Sequence, residues 1–516
     1  MRELGTAARP RVALATVTAV LFVTFLDTTV VSVTLGDIQS DLHAGVVSLQ
    51  WVVNAYTLVF ASLMLTAGSL GDRWGRKRVM IAGLAVFAAG SVLSALAPTV
   101  AVLIAGRAVM GLGAAASEPG TLSVIRHVFP DRAERARALG AWAAVSGLAL
   151  ALGPVLGGVL VGAFGWRSVF WFNLAVAALV LAAALRYVPE SADPQPGPVD
   201  LAGFVTGSAF LGCVIYAGIA GEESGYGAAA VITLFVLGGC AFAAFVAIET
   251  RARNPMFDFH YLKRPMVRSA LIVAFAVYFG IFSIFFFTAL YLQEVVGYSG
   301  WRTAEVFAPM AIAIIAGALY AGYWVARRGS RTPMITGCVL GAAGILLTRQ
   351  MLSVSPEFGP LALALTLAGL GFGIAVVPLT SAVLSGVPPE HSGMAAAATN
   401  TMRQVGAVVG VAALGSLVNS FLNSDLTDRL NQLGIPANFQ AIVIDAIETG
   451  KVPNGGDPSA SAAYGPIVSD VINATYAAFH RGLDVALEVS AIMILLAAVI
   501  TAVTSRGDHS GYEYET

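Results

Sequence analysis

The chain has 516 residues, of which 57% are hydrophobic and only 11% charged, with a mean hydropathy of +0.79. A soluble core cannot bury that much apolar surface, whereas a lipid bilayer can serve as its solvent. A formal net charge of −1 leaves no electrostatic footprint for nucleic acid, and Cys213, Cys240 and Cys338 all lie in apolar runs, against an oxidised framework or metal cluster.

Apolar runs of about 20 residues predict fourteen membrane spans, near 12–34, 48–70, 79–98, 100–126, 138–162, 166–187, 200–219, 229–248, 268–293, 304–326, 333–352, 360–385, 394–421 and 484–504. The run after Arg11 is too long for a signal-peptide core and lacks a convincing cleavage site, so it is the first span. An even number of spans puts both termini on one side. With that side cytoplasmic, only Arg167, Arg302, Arg349, Arg429, Lys451 and Arg481 of the 29 Lys+Arg fall outside, and Arg107 and Arg403 lie within spans. The positive-inside rule therefore selects cytoplasmic termini in a cell membrane.

An internal repeat divides the chain. Gly68, Arg73, Gly75 and Met80 return as Gly322, Arg327, Gly329 and Met334, an offset of 254, with Lys77 becoming Arg331 and Ala326 standing where Asp72 would fall. Pro119, Pro130 and Asp131 line up with Pro378, Pro389 and Glu390 at an offset of 259. Spans 1–6 thus correspond to spans 9–14, the pattern of a secondary transporter. The expected organisation is all-α: a six-helix bundle over 1–187, an inserted helix pair with its links over 188–267, a second six-helix bundle over 268–504, and a cytoplasmic tail over 505–516. The long segment 422–483 faces outward, and either a partly helical cap or a flexible loop suits its composition.

Candidate functional residues follow from charge and glycine. Between spans 2 and 3, Gly68, Asp72, Arg73, Gly75, Arg76 and Lys77 form a short basic turn. Topology alone explains the bases but not the acid or the glycine spacing. Asp72 suits a latch, bonding a facing helix N-terminus or a neighbouring Arg. Charges inside a membrane cost about 2.5–3.5 kcal/mol each, which singles out Asp27, Arg107, Glu118 and Arg403. Asp27 and Arg107 come at comparable depth, so they are either a proton- or substrate-handling pair or a pin between two helices. Glu118, three turns deeper than Arg107, is a coupling group or a hydrated acid beside Pro119. Arg403 is functional, or binds a helix-end carbonyl or a lipid phosphate. Gly147, Gly153, Pro154, Gly157 and Gly158 mark span 5 as a site of close helix packing or a hinge.

Leu26-Asp-Thr-Thr-Val-Val31, the Gly68–Met80 loop, Arg107-Ala-Val-Met-Gly-Leu-Gly-Ala114 and Gly153-Pro-Val-Leu-Gly-Gly158 resemble the major facilitator superfamily, and within it the fourteen-span drug:proton antiporters. The resemblance implies two six-helix bundles plus an inserted pair. It assigns substrate or proton recognition to Asp27, proton transfer to Arg107, gating to the loop and antiport to the span 5 element. Ser32, Thr34 and Gly36 replace the family's usual Asn, Ala and Pro, and Ala149 replaces a glycine.

The expected function is proton-driven export of drugs or other small amphipathic compounds by a monomer that uses no cofactor and has protons, a small-molecule substrate and the bilayer as its only partners. Export of a lipid or endogenous metabolite, import on the same fold, or a membrane sensor or enzyme are the competing readings. The scattered histidines, His43, His127, His260, His391, His480 and His509, show no ligand spacing and weigh against an enzyme.

Overall fold

The computed structural model describes residues 10–504 apart from 45, 193–199, 253, 254, 256, 299, 354 and 433–465. Among the described residues there is no strand. The first half holds α1 (Pro10–Val30), α2 (Leu35–Leu42), α3 (Val46–Trp74), α4 (Arg76–Ala95), α5 (Val100–Val128), α6 (Arg132–Phe164) and α7 (Arg167–Tyr187). Then come α8 (Leu201–Ser224) and α9 (Ala229–Glu249), followed by α10 (Pro265–Glu294), α11 (Gly300–Arg328), α12 (Arg331–Met351), α13 (Phe358–Ser385), α14 (Ser392–Gln432) and α15 (Pro466–Thr504).

Thirteen of these helices are long and apolar enough to cross a membrane. The remaining expected span, 138–162, lies inside the 33-residue α6, whose first turns carry Arg132, Glu134, Arg135 and Arg137. Three features add detail to the sequence expectation. The first span ends in a 3-10 turn at Val31–Thr34 and continues as the short helix α2, and the link 249–267 contains a second such turn at Phe259–Lys263. The third concerns 422–483, whose edges are helical. At about 1.5 Å per residue, α14 and α15, with 41 and 39 residues, are longer than the about 30 Å hydrocarbon core and project beyond it. Asp425 holds both projections together, pairing with Arg429 at 2.7 Å and Arg481 at 3.2 Å. The interior of that segment and the tail 505–516 lie outside the described residues.

The helices pack as two bundles. In the first, α5 lies against α3 and α4, and α1 against α6 and α7; in the second, α13 lies against α11 and α12, and α10, α14 and α15 pack together. The pair α8–α9 sits at the periphery, with α8 against both α3 and α14. In α9 only 17% of the apolar window is buried, against 72% in α13, so α9 faces lipid.

The repeat is visible in atomic detail. Gly75 alone separates α3 from α4 with φ +105°, and its counterpart Gly329 leaves α11 with φ +74°. Both occupy the left-handed region, which tolerates glycine far better than other residues. Lys77 Nζ donates to Leu185 O at 2.8 Å, and Arg331 Nη2 donates to Ala502 O at 2.8 Å. Each cation thus caps the C-terminal turn of its own bundle's last helix, where the helix dipole favours positive charge.

The bundles meet at the end carrying the Gly68–Met80 turn, here called the loop end. One hydrophobic core there joins Leu84, Leu122 and Trp142 of the first bundle to Phe279, Phe372 and Met394 of the second. Towards the opposite end the first bundle has a separate core built on Val30, Val52, Tyr56 and Phe170, with no member from the second among the described residues.

Candidate functional site

Asp27 is fully buried in α1. Its Oδ2 accepts a hydrogen bond from Arg107 Nη1 of α5, and its Oδ1 accepts one from Asn173 Nδ2 of α7 at 2.6 Å. Arg107 Nε donates to Val52 O at 2.8 Å, and the guanidinium lies 4.6 Å from the centre of the Tyr56 ring. Tyr56 in turn donates to Thr24 O at 3.0 Å. Desolvating two charges is tolerable only when each is paired and hydrogen-bonded, and four helices of one bundle supply those partners. The depth argument from sequence brings Asp27 and Arg107 together correctly. Asn173 and Tyr56 escape it because neither carries a charge. The available signal for Asn173 was its amide, alone in the apolar run Phe170-Trp-Phe-Asn-Leu.

A second constellation joins the bundles. Glu118 sits beside Pro119 in α5, and its Oε1 accepts from Asn400 Nδ2 of α14 at 3.1 Å. Asn400 Oδ1 accepts from Arg403 Nη1 at 3.0 Å, and Arg403 Nη2 donates to Thr380 Oγ1 of α13. Trp142 of α6 and Tyr278 of α10 each place a ring centre 5.3 Å from the Arg403 guanidinium carbon. Eleven residues return Glu118 to nearly the side of α5 that carries Arg107, yet its carboxylate meets the other bundle. Arg403 is buried, and its Nη atoms bond the side chains of Asn400 and Thr380.

At the loop end Asp72 does both things its position allowed. Its Oδ1 accepts from Gly393 N and its Oδ2 from Met394 N, both at 2.8 Å, while Arg76 donates to Oδ1 through Nη2 at 2.7 Å and Nε at 2.9 Å. The two amides belong to the first turn of α14, whose leading N–H groups have no partner within the helix. Arg76 Nη2 also donates to Pro389 O at 2.9 Å and Glu390 O at 3.0 Å. Nearby, Arg126 reaches across to Leu384 O and, at 2.7 Å, Val387 O. The turn is therefore bolted to the opposite bundle. Gly75 lies against the Glu190 carboxylate, which also accepts from Lys77 N at 3.1 Å. Arg73 and Trp74 line a shallow surface pocket with Arg78, Val79 and Ala82.

The matched sequence family covers both constellations and the latch: the model of the Major Facilitator Superfamily spans residues 17–411. The chain belongs to the Major Facilitator Superfamily. Among similar proteins, multidrug resistance protein Stp of Mycobacterium tuberculosis is 34% identical over 427 residues, covering 83% of this chain and 79% of Stp. The multidrug efflux pump LfrA of Mycolicibacterium smegmatis is 32% identical, covering 97% of each chain. The tetracenomycin C resistance and export protein of Streptomyces glaucescens is 30% identical, covering 98% of this chain and 93% of its own. The human organic anion transporter MFSD10 (TETRAN) has the same fold, with a TM-score of 0.62 at 14% identity over 96% of this chain and 99% of its own.

Within this superfamily fold the span 5 glycines divide. A Cβ on Gly147 would meet Ile314 of α11 at 3.2 Å, and one on Gly153 would meet Val30 N of α1 at 3.1 Å, so both sit at close helix approaches. Gly157 is buried and Pro154 lies within α6. Gly158 departs from the expectation of tight packing: a Cβ there meets nothing within 4 Å. Gly140, which the sequence reading passed over, is a backbone-to-backbone crossing with α11, with Ala318 O 2.9 Å and Gly322 Cα 3.3 Å from its hypothetical Cβ.

Proposed function

We propose that this superfamily member exports drugs or other small amphipathic compounds from the cytoplasm in exchange for protons. The named activities of Stp, LfrA and the tetracenomycin C exporter support the export direction. The observation that carries the proton coupling is the Asp27–Arg107–Asn173 triad, a titratable carboxylate held inside the membrane with its counter-charge in the same bundle. Movement of α1 against α5 and α7 changes how strongly Arg107 favours the ionised carboxylate, so Asp27 takes up and releases a proton as the bundles rock. Each entering proton supplies about 2.3 kcal/mol per 100 mV of membrane potential. No nucleotide, metal or other cofactor takes part, and one chain is sufficient.

In this reading the loop end and both termini are cytoplasmic, the first bundle ends near 187 and the second begins near 268. The Asp72–Arg76 latch and the Arg126 contacts hold the cytoplasmic side shut while the outer side exchanges proton for substrate. Gly147 and Gly153 keep α6 close to α11 and α1 during the exchange. Everted membrane vesicles, offered a panel of dyes and antibiotics in the medium and energised with and without a protonophore, test the proposal. Accumulation that collapses with the protonophore is the expected result. Transport that survives it, or no transport of any compound in the panel, overturns it.

A further inference from the structure

We propose that His480, Asp484 and Arg349 form a proton site, separate from Asp27, whose loading fastens the end of α12 to α15 at the end of the second bundle opposite the loop end. The site goes beyond the export reading, and only its placement on the outer side rests on that reading. Its basis is a difference between the two halves of the repeat. In the first half Arg167, which opens α7, donates through Nη2 to Ala97 O at 3.1 Å, just past the end of α4, and pairs with Asp41. The corresponding helices of the second half are α12 and α15. There His480 Nε2 lies 3.2 Å from Leu352 O, at the end of α12, and its Nδ1 lies 3.6 Å from Asp484 Oδ1. One helix end is thus capped by an arginine, which is always charged, and the other by a histidine, which is not.

The arrangement in the second half lacks one proton. A carbonyl oxygen only accepts, so Nε2 carries the ring hydrogen, and in neutral imidazole the lone pair of Nδ1 then faces the carboxylate. Asp484 Oδ1 and Arg349 Nε, 3.7 Å apart, are buried atoms without a hydrogen-bond partner among the described residues. Arg349 Nη2 is also 3.7 Å from Glu488 Oε2, so one guanidinium is shared by two carboxylates. With His480 neutral, the cluster carries a net negative charge. A proton on Nδ1 cancels that charge and supplies the donor that Oδ1 lacks. From the other helices against α15, α10 brings Tyr291, whose ring meets His480 edge-on at 5.4 Å and stacks on Phe479. From α14 comes Asp425, which is already occupied by Arg429 and Arg481. The side chains of His480 and Asp484 are 28% and 30% exposed, open enough to exchange protons with water. In the orientation of the export reading that water is outside, so the cluster responds to the acidity of the compartment that supplies the protons.

The test uses the full-length chain in nanodiscs with nitrogen-15 in its histidine rings, the His480 signals being those lost in His480→Gln. Ring nitrogen shifts distinguish the two neutral tautomers from imidazolium. His480 should be the Nε2–H tautomer when neutral and should become imidazolium between about pH 8 and 5, the range in which histidine changes charge. Asp484→Asn should move that midpoint by about half a unit or more, as loss of a close carboxylate does. Hydrogen exchange supplies the mechanical readout. After correction for the chemical exchange rate, the amides of 346–352 should exchange about threefold or more slowly at acid than at alkaline pH, the size of one added hydrogen bond. His480→Gln should abolish the difference, and His480→Arg, which gives the second half the cation of the first, should keep exchange slow at both. An Nδ1–H tautomer, a midpoint indifferent to Asp484→Asn, or exchange that shows the same pH response in His480→Gln overturns the proposal. Neither readout depends on transport or on which way the chain lies. Loss of protonophore-sensitive export with the titration intact therefore removes the export reading alone, and intact export without the titration removes the site alone.

Discussion

Gly68 of α3 and Gly322 of α11 hold the same place in the two halves, and each lays bare backbone against the opposite bundle. Gly68 lies on Gly393 and Ala397 of α14, and Gly322 on Ala136, Arg137 and Gly140 of α6. A Cβ on Gly322 would come within 2.7 Å of Ala136 O, so a larger side chain has nowhere to go without parting the bundles. Gly322→Leu is therefore expected to disfavour loop-end closure by about 1–3 kcal/mol, the usual overpacking cost. Transport should fall about tenfold, and cysteines placed near the loop end should become more reactive. Unchanged transport in Gly322→Leu would falsify the close-approach account.

The latch is asymmetric, since Ala326 stands where the second half would carry Asp72. Asp72→Asn keeps the side-chain shape but weakens the bonds to Gly393, Met394 and Arg76. We expect transport to drop roughly tenfold, in line with a lost charge-assisted bond, with expression and substrate binding retained. Lost binding at a normal cycling rate would assign Asp72 to substrate contact instead.

Asp27→Asn removes the titratable group from the triad. Gradient-driven export should disappear, and Asp27→Glu, one methylene longer, should keep part of it. Arg107→Ala should displace the pH profile of efflux by about one unit or more, the scale of a close opposite charge. Arg107→Lys should preserve more function, though without the planar fork that serves Asp27 and Val52 O together. If the pair only pins α1 to α5, both variants fold less well and the surviving protein keeps a normal profile. Efflux per folded molecule, followed against pH, separates the two.

Orientation is tested by labelling. After Cys213, Cys240 and Cys338 are replaced, single cysteines at Trp74 and Phe164, 58% and 77% exposed at opposite ends, are offered an impermeant reagent. Trp74→Cys should react only from the cytoplasmic side and Phe164→Cys only from outside. Labelling of both from one side rules out the proposed topology.

Asp41 gives a pH prediction away from the membrane interior. Hydrogen bonds from Arg167 and Trp166 hold its carboxyl below the usual carboxylate range. A lowered folded-state value contributes stability above the ordinary carboxylate pKa and loses it as pH falls. The pair is exposed, so its contribution is small. The difference in Tm between the native chain and Asp41→Asn should stay small and constant from about pH 7 to 5 and vanish well below about pH 4.

Much of this molecule is written along the chain. Apolar run length located the spans, because a bilayer demands about 20 apolar residues per crossing whatever the neighbours are. The repeat placed Gly75 with Gly329, and Lys77 with Arg331, before any contact was known. Helix rise put Asp27 and Arg107 at one depth. What the linear pattern could not contain was the direction in which each side chain is met. Glu118 shares a side of α5 with Arg107, but α14 of the other bundle lies over it. Asn173, Asn400, Thr380 and Tyr278 are uncharged, so no insertion cost marks them, and only packing brings them to the charges they serve. Helix projection beyond the membrane at α14 and α15 was likewise hidden, because Asp425, Arg429 and Arg481 read as loop charges until they pair. Sequence determined which residues must be inside a bilayer and at what depth, a one-dimensional solvation problem. Tertiary structure alone decided which charges are saturated, which atoms are left open, and which end of the two bundles is shut.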